Sequence, residues 1–299
     1  MKILTSDKRL GSIIANSLVV DHKDIKKFHG DTTIQAIIGT RQLAQKAEEV
    51  YLPNLRFIQL LSAGYEGVDI EKYRSKGVKV SNAANVYGIG MAEYIVYAML
   101  MSAKRYNISI KNPRIRIQRG YKYITELAEK NVGILGCGSI GTQVAKRLSG
   151  FEMLVMGYDP FKERCDFIEK VYKNLEELLP LCDYLVITIP YNNQTHEMIN
   201  ADFLTKCKKN VTIINIGRRG LIKDIDFISA LKRNKEMSAI LDMFEKIPNP
   251  ITNPYRRLSN VKVLPGVTAI SKEIKIRLQA LVEENINRIE NDETPLFIL

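Results

Sequence analysis

Short apolar segments alternate with helical segments along most of the chain. In the first hundred residues the apolar segments that we predict to be strands are 3–4, 36–39, 56–62 and 78–81. The segment 42–51 between two of them has the spacing of a helix. Strands that alternate with helices form a parallel sheet covered by helices on both faces. We therefore predict a complete small α/β domain before residue 104.

The same alternation returns in the second half of the chain. The predicted strands there are 132–135, 184–189, 211–215, 237–241 and 261–264. Each ends in a loop of small or polar residues, so these loops can meet at one edge of a parallel sheet. Residues 89–105 are apolar on almost all sides and predict a helix buried on most sides. A last helix is predicted at 271–291, where Ile274, Leu278 and Leu281 form a face suited to packing on the first domain.

A strand, a glycine turn, a helix and a second strand follow one another in the stretch NVGILGCGSIGTQVAKRLSGFEMLVMGYDP. The glycines have separate roles: Gly136 makes the tight turn, Gly138 lets the backbone approach a pyrophosphate, and Gly141 lets the helix pack against the strand. The peptide N–H groups of Ser139 and Ile140, at the helix start, face the anion. Because the whole context is present, we predict a dinucleotide-binding site rather than a purely structural turn.

The acid that ends the second strand specifies the nucleotide. Asp159 follows Gly141 by 18 residues, close to the spacing of about 20 at which a carboxylate accepts hydrogen bonds from the ribose hydroxyls. This carboxylate repels a 2′-phosphate, which favours NAD over NADP, and Pro160 follows it. Lys162 and Arg164 soften that preference if they face the ribose, although we favour a solvated surface pair.

These patterns together predict an α/β protein with two Rossmann-like domains, each built on a parallel sheet. Residues 104–270 are predicted to form an NAD-binding domain. It is inserted into a discontinuous, flavodoxin-like substrate domain made of residues 1–103 plus 271–299. A length of 299 residues is sufficient for two separate cores.

The composition indicates the cellular location of the protein and the state of its cysteines. Residues 1–20 lack the apolar core of a signal peptide, and no run reaches the roughly 18 apolar residues of a membrane span, so we expect a cytoplasmic protein without a membrane partner. The cysteines lack CxxC spacing and are expected to be reduced and buried, and no metal site is predicted from so few imidazoles. These residues are Cys137, Cys165, Cys182 and Cys207, with His22, His29 and His196.

The net charge of +11 is spread along the chain. It includes the basic stretch 106–130, which we interpret as a surface excursion. No basic module interleaved with aromatic residues is visible, so a nucleic-acid partner is not expected. The excess positive charge instead favours an anionic cofactor and an anionic substrate.

The loop after residue 61 is a candidate carboxylate site. It leaves a predicted strand at Ser62, Ala63 and Gly64, where peptide N–H groups can hold an anion at the carboxyl end of a sheet. An ordinary strand-to-helix turn is the alternative, and these residues taken alone favour it.

Residues 55–289 resemble the D-isomer-specific 2-hydroxyacid dehydrogenases, the family of D-3-phosphoglycerate, glycerate and D-lactate dehydrogenases. LLSAGYEGVD is similar to the family's substrate-carboxylate loop, and GILGCGSIG with YDP to its NAD motif. ITIPYNNQTHEMIN resembles the segment beside the adenosine and nicotinamide, INIGRRGLIKD the segment with the catalytic arginine, and LDMFEKIP and NVKVLPGVTA the segments with the catalytic glutamate and histidine. The resemblance implies substrate contacts from Ser62, Ala63, Gly64 and Arg218, and cofactor contacts from Ile189, Pro190, Thr195, Ile216, Gly217, Arg218, Asp242 and Gly266.

The resemblance breaks at the acid–base pair. Ile247 stands at the glutamate position and Gly266 at the histidine position. The two losses are linked, because a buried carboxylate without its imidazole partner would cost about 1–3 kcal/mol. Arg218 can polarise a carbonyl, with Arg219 as a basic neighbour, but it does not exchange protons near neutral pH. Other candidate proton donors, none favoured by spacing, are His196, Tyr65, Tyr87 and Glu245.

Two functions remain. The first is an NAD-dependent oxidoreductase that transfers a hydride between NAD(H) and a small 2-hydroxy or 2-oxo acid of the phosphoglycerate, glycerate/hydroxypyruvate or glyoxylate class, with an atypical or weak proton donor. The second is a catalytically impaired NAD(H)-binding sensor or scaffold, as the family's corepressor branch allows. We favour the enzyme because Arg218, Asp242 and the substrate loop are retained. The resemblance also implies a homodimer formed through the nucleotide domains.

Overall fold

The chain divides into two units in a computed structural model that describes residues 1–104, 124–242, 253–264 and 266–299. The first unit contains Met1–Tyr87 and Ser271–Leu299, and the second contains Gly88–Ile270. Most of the basic stretch 106–130, predicted to be a surface excursion, lies outside the described residues.

A five-stranded parallel sheet forms the core of the first unit. In sheet order β2-β1-β3-β4-β5, its strands are β1 (Lys2–Thr5), β2 (Ser17–Val19), β3 (Ile34–Gly39), β4 (Phe57–Leu60) and β5 (Lys79–Ser81). Helices α1 (Lys8–Ile13), α2 (Arg41–Ala47) and α3 (Ile70–Ser75) connect them. The predicted strands are present, and only the short edge strand β2 was not predicted. It has only three residues, and Leu18 and Val19 are exposed, so it differs from the buried strands that the apolar pattern predicts.

Helix α4 (Ala84–Ala103) crosses the boundary between the units. Beyond Tyr87 its contacts belong to the second unit: Arg147 pairs with Glu93 at 3.1 Å, and Lys262 Nζ donates to Met101 O at 3.0 Å. The predicted division after residue 103 assigns the whole helix to the first domain, whereas the contacts divide the helix near its first turn.

The same helix is less buried than its apolar sequence predicts. Tyr97 is 48% exposed. The helix is long and apolar enough to cross a membrane, with a mean hydropathy of 1.3 in its most apolar window, and 44% of that window is buried inside the protein. Length and hydropathy alone therefore do not distinguish a membrane span from a core helix here.

A seven-stranded parallel sheet forms the core of the second unit, in the order β12-β11-β10-β9-β6-β7-β8. Its strands are β6 (Asn131–Leu135), β7 (Leu154–Tyr158), β8 (Lys170–Tyr172), β9 (Tyr184–Ile187), β10 (Thr212–Asn215), β11 (Ser238–Leu241) and β12 (Val261–Val263). Its helices after α4 are α5 (Ser139–Leu148), α6 (Leu175–Leu178), α7 (Ala201–Lys206) and α8 (Asp224–Arg233). Strand order reverses between β6 and β9, and the crevice at such a switch point is where ligands bind in open α/β sheets.

Single turns of 3₁₀ helix complete the described secondary structure. They are Ile25–Phe28, Ser149–Phe151, Leu179–Leu181, Arg219–Leu221 and Pro254–Arg257. The second of them directly continues α5, and the fourth follows the loop after β10. The predicted strands of the second unit are all present, but β8 was not predicted. Its three residues are exposed or half-buried and so give no apolar signal.

The C-terminal helix α9 (Lys272–Glu290) returns to the first unit and packs on its sheet. Ile274, Leu278 and Leu281 pack against Ala83 and Val86. This contact confirms the predicted apolar face.

One buried amide fixes the helix to the sheet. Asn285 Nδ2 donates to Gln59 Oε1 at 2.7 Å and to Leu296 O at 3.2 Å, while Asn285 Oδ1 accepts from Leu296 N at 2.7 Å. Asn285 and Gln59 are both fully buried, so neither amide can exchange these bonds for water.

Replacing Asn285 by alanine should therefore destabilise the protein. We expect Asn285→Ala to lower the free energy of unfolding by about 1–3 kcal/mol, because buried polar groups of Gln59 and Leu296 lose their partners. Urea unfolding followed by circular dichroism measures the change. Asn287→Ala, an exposed position on the same helix, should stay within about 0.5 kcal/mol of the parent. Equal losses in the two variants would contradict this account.

Candidate functional site

The glycine turn between β6 and α5 is built around a very close backbone approach. Gly136 has φ +99°, which side chains rarely adopt, and a β-carbon on Gly141 would lie 2.1 Å from Gly136 O. The protein itself therefore requires glycine at both positions. A β-carbon on Gly138, in contrast, would meet no atom within 4 Å. Glycine at that position leaves open space above the turn, which suits the approach of a ligand.

Hydrogen bonds from a side chain and from the backbone near the neighbouring strands hold this turn in place. Thr188 Oγ1 donates to Leu135 O and to Gly136 O, both at 2.9 Å, and Gly136 N donates to Tyr158 O at 2.8 Å. Gly138 caps α5 without a side-chain hydrogen bond, so the N–H groups of the first helical turn remain available to an anion. The residues present fit the pyrophosphate of a dinucleotide. Sequence analysis missed Thr188, whose partners are more than fifty residues away.

Asp159 joins the glycine turn to the loop that follows β7. Its Oδ2 accepts from Cys137 N at 3.0 Å, and its Oδ1 accepts from Phe161 N at 2.9 Å and Lys162 N at 3.1 Å. Lys162 Nζ donates to Cys137 O at 2.8 Å. The Lys162 side chain is exposed, as expected for a surface residue, and this hydrogen bond also brings it into contact with the glycine turn.

The loop after β9 contains the predicted cofactor residues Ile189, Pro190 and Thr195. Ile189 is nearly buried beside Gly136. Thr195 Oγ1 donates to Pro190 O at 2.8 Å and closes the loop on itself. In the same loop, Tyr191 Oη and His196 Nδ1 form a hydrogen bond of 3.2 Å, with the two rings edge to face. The imidazole that sequence analysis considered as a proton donor thus has a tyrosine partner.

A buried asparagine fixes the main-chain conformation at Arg218. Asn215 ends β10 and is fully buried. Its Oδ1 accepts from Gly217 N at 2.9 Å, and its Nδ2 donates to Arg218 O at 3.2 Å. Ile216 between them is also buried. The amide therefore fixes the backbone on both sides of the turn, which determines where the Arg218 side chain starts.

Arg219, the basic neighbour of Arg218, pairs with an acid at the start of α8. Its guanidinium donates to Asp224 Oδ2 through Nε at 2.9 Å and also through Nη2, and Tyr255 Oη donates to Asp224 Oδ1 at 2.6 Å. The hydrogen bond to Asp224 raises the pKa of Arg219, and burial raises the pKa of Tyr255. This network ties the loop after β10 to the start of α8.

Asp242 holds the turn at the predicted histidine position. Its Oδ1 accepts from Gly266 N at 2.5 Å, and its Oδ2 accepts from Thr268 N at 3.2 Å and Thr268 Oγ1 at 2.5 Å. Gly266 has φ +74°, a conformation in which a histidine would be strained. Ile247 and Glu245 lie outside the described residues.

The substrate loop of the first unit has its carbonyl groups bound from within that unit. Four consecutive carbonyl oxygens, those of Leu61, Ser62, Ala63 and Gly64, accept hydrogen bonds from Tyr87 Oη (2.6 Å), Ala83 N (3.0 Å), Asn82 Nδ2 (3.0 Å) and Ser62 Oγ (2.7 Å). In a trans peptide the C=O and the N–H point in opposite directions. The N–H groups of Ser62, Ala63 and Gly64 are thereby turned away from these donors, and none donates to a group in the described part of the chain.

Comparison with known proteins decides the family. Residues 94–267, more than half of the chain, match the family model described as "D-isomer specific 2-hydroxyacid dehydrogenase, NAD binding domain". The chain belongs to the D-isomer-specific 2-hydroxyacid dehydrogenase family. The matched residues lie within the second unit, which holds the glycine turn and Asp159. The predicted family and NAD-binding domain are confirmed.

Proteins similar in sequence to this chain include a D-3-phosphoglycerate dehydrogenase and a glyoxylate reductase. The chain is 32% identical over 263 residues to D-3-phosphoglycerate dehydrogenase of Methanocaldococcus jannaschii, covering 85% of this chain and 48% of that protein. It is 31% identical over 255 residues to glyoxylate reductase of Thermofilum pendens, covering 81% and 74%. The chain thus spans about half the length of the phosphoglycerate dehydrogenases that it matches.

A solved structure shows the same fold. The holo form of D-mandelate dehydrogenase of Rhodotorula graminis superposes with a TM-score of 0.82 at 18% identity, covering 100% of this chain and 97% of that one. The predicted fold class, an α/β protein with Rossmann-like parallel sheets, is confirmed.

The open space above Gly138 gives a test of nucleotide binding by this chain. We expect Gly138→Ala to lower NADH affinity at least tenfold, about 1.4 kcal/mol, because the new methyl group occupies space needed by the pyrophosphate. The free energy of unfolding should change by less than about 0.5 kcal/mol, since the methyl meets no protein atom. NADH fluorescence titration and urea unfolding measure the two quantities.

Gly150→Ala is the matched control, because a β-carbon there also meets no atom within 4 Å. It should leave both NADH affinity and stability unchanged. If Gly138→Ala binds NADH as tightly as the parent, the glycine turn is not the pyrophosphate site.

Proposed function

We propose that the protein is an NAD-dependent oxidoreductase that transfers a hydride between NAD(H) and a small 2-hydroxy or 2-oxo acid. The relatives named D-3-phosphoglycerate dehydrogenase and glyoxylate reductase support the phosphoglycerate, glycerate/hydroxypyruvate or glyoxylate class of substrate. In this proposal the second unit binds the nucleotide and the first unit binds the substrate carboxylate.

The observation that carries the proposal is the bonded carbonyl series of the substrate loop. The side chains of Asn82 and Tyr87 hydrogen-bond to the main chain between Leu61 and Ala63 and fix it. Consecutive backbone N–H groups that are left unbonded by the protein can bind an anion, and a carboxylate is the anion that every proposed substrate carries.

In this proposal the cofactor, the backbone N–H groups and Arg218 have separate roles in hydride transfer. NAD(H), when bound, supplies or accepts the hydride. The N–H groups of Ser62, Ala63 and Gly64 bind the substrate carboxylate. Arg218, whose main chain Asn215 fixes, presents donors that match a carboxylate or a 2-oxo oxygen and withdraws electron density from the carbon that receives hydride.

The cofactor contacts are proposed residue by residue. Gly136, Gly138 and Gly141 shape the pyrophosphate site, with N–H groups from Ser139 and Ile140. The remaining proposed contacts to the nucleotide come from Asp159, Pro160, Ile189, Pro190, Thr195, Ile216, Gly217, Arg218, Asp242 and Gly266. Asp242 acts mainly through the turn it holds, since three hydrogen bonds already occupy its carboxylate.

Proton transfer is the step that departs from an ordinary dehydrogenase. Gly266 has no side chain to donate a proton, and its backbone disfavours a histidine. Positioned acid or base groups contribute about 10²- to 10⁴-fold to such reactions. We therefore expect turnover that depends on a proton source outside the usual histidine–glutamate pair, and a rate below that of an acid-assisted enzyme.

The enzymatic proposal predicts a specific dependence on Arg218. The loss of NADH absorbance should be measured with glyoxylate, hydroxypyruvate, pyruvate and 3-phosphohydroxypyruvate. We expect oxidation of NADH with at least one of them. Arg218→Gln should reduce kcat/KM at least 100-fold, about 2.7 kcal/mol, because the substrate loses a charged bidentate partner.

Arg164→Gln removes the same charge from an exposed loop position and should leave kcat/KM within about twofold of the parent. A protein that binds NADH yet oxidises it with none of these acids would support the alternative, an NAD(H)-binding sensor or scaffold. The glycine at position 266 is the observation that favours this alternative.

We also propose a cytoplasmic homodimer, as the family resemblance implies. A single monomeric species in sedimentation velocity at micromolar concentration would contradict the dimer.

A further inference from the structure

The ribose end of the nucleotide site contains more than the one acid that sequence analysis assigned to it. Two lysine side chains lie at Asp159. Lys162 Nζ donates to Cys137 O at 2.8 Å, and Lys173 Nζ donates to Asp159 O at 3.2 Å. We call Cys137, Asp159, Lys162 and Lys173 the ribose corner.

Asp159 has little acceptor capacity left for a ribose. A carboxylate offers about four acceptor positions, and three of them receive the N–H groups of Cys137, Phe161 and Lys162. One position remains, so this carboxylate cannot accept both ribose hydroxyls while it holds the loop. Its role as the group that selects NAD is correspondingly weaker than the sequence predicts.

A lysine ammonium is also bound at Cys137, the residue that binds the Asp159 carboxylate. The Lys162 ammonium lies on the carbonyl of Cys137, the residue whose N–H binds the carboxylate. Within the described residues Lys162 forms no ion pair, and its bond to Cys137 O uses one of three ammonium donors. A cation that pairs with no carboxylate in the described part of the chain therefore lies on the glycine turn, at the residue that also binds Asp159.

Lys173 keeps the loop in place beneath Lys162. Its ammonium donates to the carbonyl oxygens of Asp159 and Lys162, the latter at 2.8 Å, and pairs with Glu163 at 3.1 Å. The main chain of the loop is thus fixed by Asp159 on one side and Lys173 on the other. Lys162 is consequently held beside the glycine turn, while its long, exposed side chain can still change its partner.

We propose that Lys162 lets this site accept NADP(H) as well as NAD(H). Its ammonium leaves the carbonyl of Cys137 and binds the 2′-phosphate, which carries a charge of about −1.5 to −2 near pH 7. With NAD(H), the ammonium stays on the carbonyl and Asp159 uses its remaining acceptor position for the ribose. This inference rests on the proposed binding of nicotinamide nucleotides by the second unit.

Direct binding tests the inference without any substrate. Fluorescence titrations of the full chain with NADH and NADPH give both dissociation constants. We expect the wild-type constant for NADPH to lie within about tenfold of that for NADH. Lys162→Ala should weaken NADPH about tenfold and NADH less than twofold, and Lys162→Arg should restore NADPH binding because it keeps the charge.

Two controls distinguish a local contact of Lys162 with the 2′-phosphate from a general effect of positive charge on NADPH binding. Arg164→Ala removes an exposed cation from the same loop and should change neither constant by more than about twofold. Raising the salt concentration should weaken NADPH binding more than NADH binding in the wild type, and this difference should shrink in Lys162→Ala.

The outcomes distinguish the inference from the proposed function. Wild-type protein that binds NADH but binds NADPH more than about 100-fold less tightly would overturn the inference and leave the NAD(H) function intact. An equal loss of both nucleotides in Lys162→Ala would also overturn it, because Lys162 would then only support the glycine turn. Wild-type protein that binds neither nucleotide would overturn both.

Discussion

Helix α5 approaches strand β6 so closely that a β-carbon at Gly141 would lie 2.1 Å from the carbonyl oxygen of Gly136. No side chain can be accommodated there, and the approach places the first turn of the helix directly over the end of the strand. The rest of the nucleotide site depends on this contact. Thr188 and Asp159 bind the turn that the contact creates, and Gly138 leaves the space above it open.

Loops in both units, each within its own unit, are held in the same way, by a short polar side chain that hydrogen-bonds to backbone. Asn215 fixes the turn before Arg218, Asp242 fixes Gly266 and Thr268, and Asn82 fixes Ala63. Such bonds hold loops without a large apolar core, so binding residues start from defined positions. The same bonds occupy the polar atoms that they use. Asp159 and Asp242 are each taken up by three hydrogen bonds, which limits what either carboxylate can do for a ligand.

How much of the fold and of the site the sequence predicts depends on how far apart along the chain the contacting residues lie. Buried strands and the glycine turn are local signals, so β3, β10 and the turn at Gly136 were predictable. Strands β2 and β8 were not predicted, since each has only three residues and is partly exposed. The hydrogen-bond partners of Thr188 lie 52 and 53 residues away along the chain, and the partner of Lys162 lies 25 residues away. Single-sequence patterns do not encode such contacts. The absence of the acid–base pair stays a prediction that rests on the family resemblance, and the structure adds only the positive φ of Gly266 at the predicted histidine position.

The central claim is that this chain transfers a hydride between a nicotinamide cofactor and a 2-oxo acid despite the loss of that pair. The most direct measurement uses NADH carrying deuterium at the transferable C4 position, in single-turnover reactions with hydroxypyruvate or glyoxylate, followed by mass spectrometry of the acid product. The account predicts a 2-hydroxy acid with one deuterium at C2, formed slowly, and lost in Arg218→Gln. Bound cofactor that keeps its deuterium while the 2-oxo acid remains unreduced would contradict it.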